Sequence, residues 1–261
     1  MAEAVRTGRG ARLGLTPFLR RVLGRIYAFR GVRDLAFATY IHLPSIVSVF
    51  AYRFARRYVV GDPREGHFKR VFDHLAVQGV DGDYLEFGVM WGRSLVMAAQ
   101  QAERVGLGGM RFIGFDSFEG LPSGEGGIFD LGDYRSTQAT AERYIRAAGV
   151  DMSRVQLIRG WFGNTLTDET ARRLRLYRLA LVYIDCDLYE STRDALRFVE
   201  PYLVNGSMIL FDDWGAFDRV YGDSSSAYGQ KRALQEWRCR DRCKHVDSHG
   251  EAAAFVFVSR D

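Results

Sequence analysis

The chain has 261 residues, 26% of them charged and 47% hydrophobic, with only 5 prolines and a formal net charge of +4. That composition excludes a largely disordered chain, which would lack the apolar and aromatic residues a core needs, and the length suffices for one large domain with an extension. No run of ~18 or more uncharged apolar residues occurs, so no spanning helix is expected, and the basic N-terminus is followed by no apolar stretch with a secretory cleavage site.

Charge is unevenly placed: residues 1–70 carry 14 basic and 4 acidic side chains, leaving 22 basic and 28 acidic for the remainder. A basic leader of this kind suits anionic lipid, nucleic acid or an acidic partner, or is simply solvated. Nucleic acid is not expected, because the acidic remainder offers no broad basic face with interleaved aromatics. Residues 40–58 are apolar and aromatic, broken by Pro44, with Arg53, Arg56 and Arg57 late in the segment. They read as an amphipathic helix, and packing on the domain or on a second copy of the chain is favoured over a membrane surface. Residues 1–66 are therefore set apart as a basic, partly helical extension, with 67–261 as the main domain and a homo-oligomer expected.

From about Phe68 onward strand-like and helix-like segments alternate. Residues 83–88 form a short apolar run, and Gly92 to Gly106 carries Leu95, Val96, Ala98, Ala99, Ala102 and Val105 at helical spacing. A second strand is expected over 111–116, then a Gly- and Ser-rich loop over 117–127, a helix over 137–148 and a third strand over 155–158. A short helix at 167–175 leads into Leu179 to Ile184, almost unbroken apolar and hence a central strand covered on both faces. A helix over 191–199, closed by Pro201 and Asn205-Gly206, a strand over 207–211, a helix over 229–238 and a strand over 253–258 complete the pattern. This alternation predicts an α/β fold of the Rossmann-like kind, a mostly parallel sheet with helices on both faces. Three cysteines, Cys186, Cys239 and Cys243, read as reduced thiols of a cytoplasmic protein. Cys239 and Cys243 lie four apart on an expected helix, with no second ligand pair near enough for zinc.

Ligands of open parallel sheets bind beyond the C-terminal strand ends. The first strand ends in Glu86-Phe87-Gly88-Val89-Met90-Trp91-Gly92, whose glycines let a ligand approach the backbone, although the G-x-G-x-x-G dinucleotide pattern is absent. The second ends in Asp116, an acid able to accept from both ribose hydroxyls of an adenosine group, or else only to cap the following turn with the help of Ser117. The fourth ends in Asp185-Cys186-Asp187 and the fifth in Asp212-Asp213. Neighbouring strand ends lie ~5 Å apart, so these carboxylates crowd one cleft and need raised pKa values or a cation. Mg²⁺ held by Asp185, Asp212 and Asp213 would keep positions for a substrate hydroxyl. The alternative is that these acids cap helices and pair with Arg193 or Arg219.

The blocks at 82–89, 115–122, 160–166 and 185–192, with Phe211-Asp212-Asp213-Trp214-Gly215, resemble the macrocin O-methyltransferase family, whose members act on sugar hydroxyls of macrolides and related glycosides. The resemblance covers about 80–258 and leaves out residues 1–66. It implies a class I methyltransferase sheet with an antiparallel C-terminal strand, S-adenosylmethionine as donor, and Mg²⁺ at the three aspartates. Glu86, Gly88, Val89, Asp116 and Ser117 would serve the donor, with Trp161 and Phe162 bordering the adenine or a lid. In an in-line methyl transfer to a sugar or glycoside hydroxyl, Asp185 or Asp187 would take the proton. The sequence departs from the family at Cys186, where glycine is usual, and in a longer, Ser-rich loop over 217–228. A hydroxylase relative would want iron and a histidine ligand, and no strand-end residue is histidine; the five histidines read as structural or surface groups. A catalytically silent scaffold would be expected to lack one of the aspartates, and all are present.

Overall fold

The computed structural model describes residues 62 and 64–259. The expected helix over 40–58, and most of the segment set apart as an extension, lie outside the described residues. The order of elements is α1 (Glu65–Gln78), β1 (Asp83–Phe87), α2 (Arg93–Arg104), β2 (Phe112–Asp116), α3 (Gln138–Ala147), β3 (Val155–Arg159), α4 (Phe162–Thr165), α5 (Asp168–Leu174) and β4 (Leu179–Ile184). It continues with α6 (Tyr189–Val199), β5 (Leu203–Phe211), α7 (Asp218–Tyr221), α8 (Gly229–Glu236), β6 (Cys243–His249) and β7 (Ala252–Phe257). Among the described residues no helix is long and apolar enough to cross a membrane.

The seven strands form one sheet in the order β3-β2-β1-β4-β5-β7-β6, parallel from β3 through β5, with β7 antiparallel to both neighbours. This is the expected sheet. β1 and β4 lie at its centre and are buried along their whole length, which is why β4 reads as an unbroken apolar run, while β1 buries Asp83 and Glu86 among its apolar residues. Each fully buried Leu, Val or Ile of β4 contributes roughly 1.5–3 kcal/mol of apolar burial. The chain leaves β1 toward β2 on one side, and β4 lies on the other, so the connection reverses beside β1. Ligand sites form beyond the carboxyl ends of the strands at that point.

Two local readings change, and two elements were not read at all. Asn205-Gly206 does not close a helix but lies inside β5, where five residues from Leu203 to Ser207 bulge against Leu179–Ala180 before regular pairing begins at Met208. Ser207 closes the bulge, its hydroxyl donating to the Leu179 carbonyl at 2.6 Å and accepting from the Val204 N–H at 2.8 Å. Cys239 and Cys243 are not on one helix: α8 stops at Glu236, and Cys243 opens β6. Strand β6 is a mostly exposed sheet edge, so no apolar run marked it. Helix α1 also precedes β1, burying Phe68, Val71, Phe72 and Leu75 at the i, i+3, i+4, i+7 spacing of an amphipathic helix.

Candidate active site

The turn after β1 is shaped by the strand ends around it. Gly88 has φ +92°, and a Cβ there would lie 1.8 Å from the Asp185 carbonyl oxygen, so only glycine lets the ends of β1 and β4 meet. Three of the non-glycine residues with left-handed backbone, Met90, Phe118 and Asp187, sit in the turns after β1, β2 and β4. Such conformations cluster where surrounding structure holds a site in place.

Asp116 knits the first two turns together. Its Oδ2 accepts from the N–H groups of Val89 and Met90 at 2.8 and 2.7 Å, and its Oδ1 from the Phe118 N–H at 2.6 Å. Burial raises its pKa against these three donors, which pull it back. The capping role and the ligand-facing role are thus not exclusive: the carboxylate remains partly exposed and Oδ1 keeps acceptor capacity. Of the other residues assigned to the donor, Gly88, Trp161 and Phe162 retain exposure, while Glu86, Val89 and Ser117 are buried. Val89 packs with Phe118 and Ala141, and Ser117 is turned inward, donating to the Gly120 carbonyl and accepting from the Glu119 N–H. Glu86 accepts from the Tyr84 and Ser94 hydroxyls, and burial pushes its carboxyl up to about 8. These three side chains support the turn from beneath. Phe162 packs edge-on against Phe87 at 5.7 Å, and both it and Trp161 are half-buried.

At the ends of β4 and β5, ligand atoms of Asp185, Asp212 and Asp213 lie within 4.8 Å of one another, as the strand-end reading expected. Burial first, then the neighbouring acids, pushes Asp185 and Asp213 well above the usual carboxylate range. Asp185 and Asp212 keep 25% and 19% of their side-chain exposure, so solvent reaches the cluster. An all-oxygen set of this kind suits a hard divalent cation, which would relieve the crowding. Gln230, 1% exposed in α8, fixes Asp213: its amide oxygen accepts the Asp213 N–H at 3.1 Å, and its amide nitrogen donates to Oδ2 at 3.1 Å. Asp187 is buried on the same turn, and its N–H donates to the Asp213 carboxylate.

Neither Arg193 nor Arg219 reaches these acids. Arg193 pairs with Asp194 at 2.9 Å and Arg219 with Glu251 at 2.8 Å. The cation that does is Arg64, within the segment set apart as an extension, with one nitrogen 3.4 Å from Asp185 and 3.5 Å from Asp212. An isolated arginine before a helix carries no sequence signal for this role, and neither does Gln230. Cys186 turns its thiol into the core, 3.7 Å from the Thr192 hydroxyl. Among the histidines, His67 is buried, facing Asp247 at 3.4 Å, and His245 and His249 are exposed.

Beside the acids lies an aromatic wall. Phe217, Tyr221 and Tyr228 stack with centroids 4.4–6.3 Å apart. The Glu125 carboxylate accepts from the N–H groups of Tyr189 and Gly229, tying the loop after β2 to the starts of α6 and α8.

The family model described as macrocin-O-methyltransferase (TylF) matches residues 53–247. The chain belongs to the macrocin O-methyltransferase family. The match begins at residue 53, so part of the segment read as lying outside the resemblance is within this family's conserved length. A tetracenomycin-C rhamnosyl 4'-O-methyltransferase of Streptomyces olivaceus is 31% identical over 166 residues, 60% of this chain and 62% of that protein. The chain thus spans somewhat under two thirds of that relative. Calicheamicin methyltransferase CalS11 has the same fold, with TM-score 0.65 at 19% identity over 97% of this chain and 99% of that one. So does O-methyltransferase TomG of Streptomyces achromogenes, solved with S-adenosylmethionine, with TM-score 0.53 at 14% identity over 92% and 99% of the two chains. The family's class I methyltransferase sheet is therefore the fold of this chain.

Proposed function

We propose that the protein is an O-methyltransferase that moves a methyl group from S-adenosylmethionine to a hydroxyl of a sugar or glycosylated natural product, with a divalent cation such as Mg²⁺ in the acidic cleft. The observation that carries this reading is the convergence of Asp185, Asp212 and Asp213 beside the Gly88 turn, in a chain of this family. The named acceptor of the Streptomyces olivaceus relative, a rhamnosylated tetracenomycin, supports a sugar acceptor. The S-adenosylmethionine in TomG supports the donor.

Asp185, Asp212 and Asp213 would hold the cation, which when bound supplies Lewis acidity toward an acceptor hydroxyl. The donor would lie over the Gly88 turn, its ribose toward Asp116 Oδ1 and its adenine toward Trp161. Asp185 is the better placed of the two candidate bases, because Asp187 is only 7% exposed and its N–H is committed to Asp213. Asp185 then accepts the hydroxyl proton at a carboxylate oxygen as the new C–O bond forms and the methyl–sulfur bond breaks, its electron pair leaving with S-adenosylhomocysteine. Tyr221 and Tyr228, half-buried against the core residue Phe217, would offer aromatic surface to a sugar ring or aglycone. Alignment of oxygen, methyl and sulfur supplies much of the acceleration.

The test is incubation of the full-length protein with methyl-labelled S-adenosylmethionine, Mg²⁺ and a panel of nucleotide sugars and glycosides. Label in a sugar product is expected. Donor binding without transfer to any acceptor would instead favour a scaffold that has kept the fold and lost the reaction.

A further inference from the structure

Arg64 stands immediately before α1 and reaches the carboxylates from outside the strand ends. One guanidinium nitrogen, Nη1, lies 3.1 Å from the Tyr183 hydroxyl, 3.4 Å from Asp185 Oδ2 and 3.5 Å from Asp212 Oδ2. The other edge, Nε and Nη2, grips the two oxygens of Asp62 at 3.0 and 3.1 Å. Asp62 is held in turn by Arg93, at the start of α2, at 2.8 Å. Burial alone would raise the Asp62 carboxyl, but Arg64 and Arg93 outweigh it and hold it at about 2. One half of the fork is therefore anchored to a permanent carboxylate, while the other half rests on two members of the acidic trio.

We propose that Arg64 is a tethered counter-ion that competes with the divalent cation for Asp185 and Asp212, so that the cation binds by displacing this guanidinium nitrogen. The inference rests on the cation reading above. A Mg²⁺ ion sits 2.0–2.1 Å from its oxygens, which would bring it within about 5.5 Å of Nη1 as placed. A guanidinium keeps its charge at every working pH, and like charges at that distance repel strongly in a partly buried site. The conflict is resolved by movement. Asp62 keeps that movement short: the rigid guanidinium plane tilts as a whole about its Nε–Nη2 edge, which stays beside Asp62, and carries Nη1 off the acids. Arg64 thereby neutralises the crowded carboxylates until the cation takes its place, and it sets the cation concentration at which exchange occurs.

The test uses the full-length chain and Mn²⁺ alone as probe, with free Mn²⁺ followed by electron paramagnetic resonance. Arg64→Met and Arg64→Gln remove the charge, and Arg64→Lys keeps it. Both neutral variants should bind Mn²⁺ about tenfold tighter than wild type or more, and the lysine variant within about threefold of wild type. In chelator the neutral variants should melt below wild type, and they should gain more from added Mn²⁺ than wild type does. A neutral variant that folds only with Mn²⁺ supports the exchange equally, and one that stays unfolded with Mn²⁺ contradicts it, because the ion should replace the lost charge. Neutral variants that bind Mn²⁺ as wild type does, or more weakly, overturn the competition and leave the cation reading standing. Failure of wild type and neutral variants alike to bind millimolar Mn²⁺ overturns both.

Discussion

A methyl group placed on Gly88 would meet the carbonyl oxygen of Asp185 at 1.8 Å. The turn after β1 and the end of β4, which carries Asp185, therefore meet backbone to backbone. Gly88→Ala adds this clash to an unfavourable φ of +92°. We expect a loss of at least ~2 kcal/mol of stability, from strain of the kind a left-handed or crowded backbone carries, together with weaker cation binding as Asp185 is pushed aside. Urea unfolding and Mn²⁺ titration of the variant check both.

Glu86 gives the fold a pH dependence of definite sign. Its carboxyl is raised from 4.5 to about 8, with burial as the main cause. An acid raised in this way keeps its proton in the fold after the unfolded chain has lost it. Its contribution is complete below about 4.5 and is lost as pH rises toward 8. Glu86→Gln should remove this loss and gain on wild type by up to about 1.4 kcal/mol per pH unit inside that window. Melting curves at pH 5 and pH 8 should show the variant's advantage widening. An advantage that stays flat between pH 5 and pH 8 would mean the carboxylate is already ionised in the fold.

Asp116 caps the turns after β1 and β2 and, on the proposed reading, also faces the donor ribose. Asp116→Ala should weaken S-adenosylmethionine binding by roughly 1.5–3 kcal/mol, the range for hydrogen bonds to a charged group. It should also destabilise the fold, because the N–H groups of Val89, Met90 and Phe118 lose their acceptor. Calorimetry on the folded variant separates the two. Unchanged donor affinity would reduce Asp116 to a turn cap.

Gln230 braces the acidic cleft from beneath, bonding Asp213 at the end of β5 and donating to the Ile184 carbonyl at the end of β4. Gln230→Ala should lower cation affinity by roughly ten- to a hundredfold, as the loss of an outer-shell partner does. Donor affinity should be unaffected, since Gln230 lies on α8, away from the Gly88 turn. Parallel Mn²⁺ and donor titrations check this split.

The acids were legible because strand ends declare themselves: Asp185 follows an unbroken apolar run, and Asp212-Asp213 follows another. The central strand β4 was legible for the same reason; helix α1 was not read, although Phe68, Val71, Phe72 and Leu75 carry its spacing. Edge strand β6 was not, because an exposed edge needs no apolar face, and its Cys243 opens a strand rather than extending a helix. Arg64 and Gln230 stayed hidden for a different reason. Each acts through a contact between residues more than a dozen positions apart, and a lone arginine or a helical glutamine looks alike whether it faces solvent or a carboxylate. The burial of Glu86, Val89 and Ser117 was equally invisible, because a strand-to-helix turn does not declare which side chains point beneath it.

The central claim is that the carboxylate trio works through a cation. Its most direct test is methyl transfer by the full-length enzyme, stripped with chelator and verified metal-free, before and after addition of Mg²⁺, beside Asp212→Asn and Asp213→Asn. The account predicts that stripping abolishes turnover and that Mg²⁺ restores it in wild type alone. Donor binding should persist throughout, because the Gly88 turn and Asp116 belong to other strands. Full-rate transfer by metal-free wild type would contradict the account and leave the three aspartates a structural role.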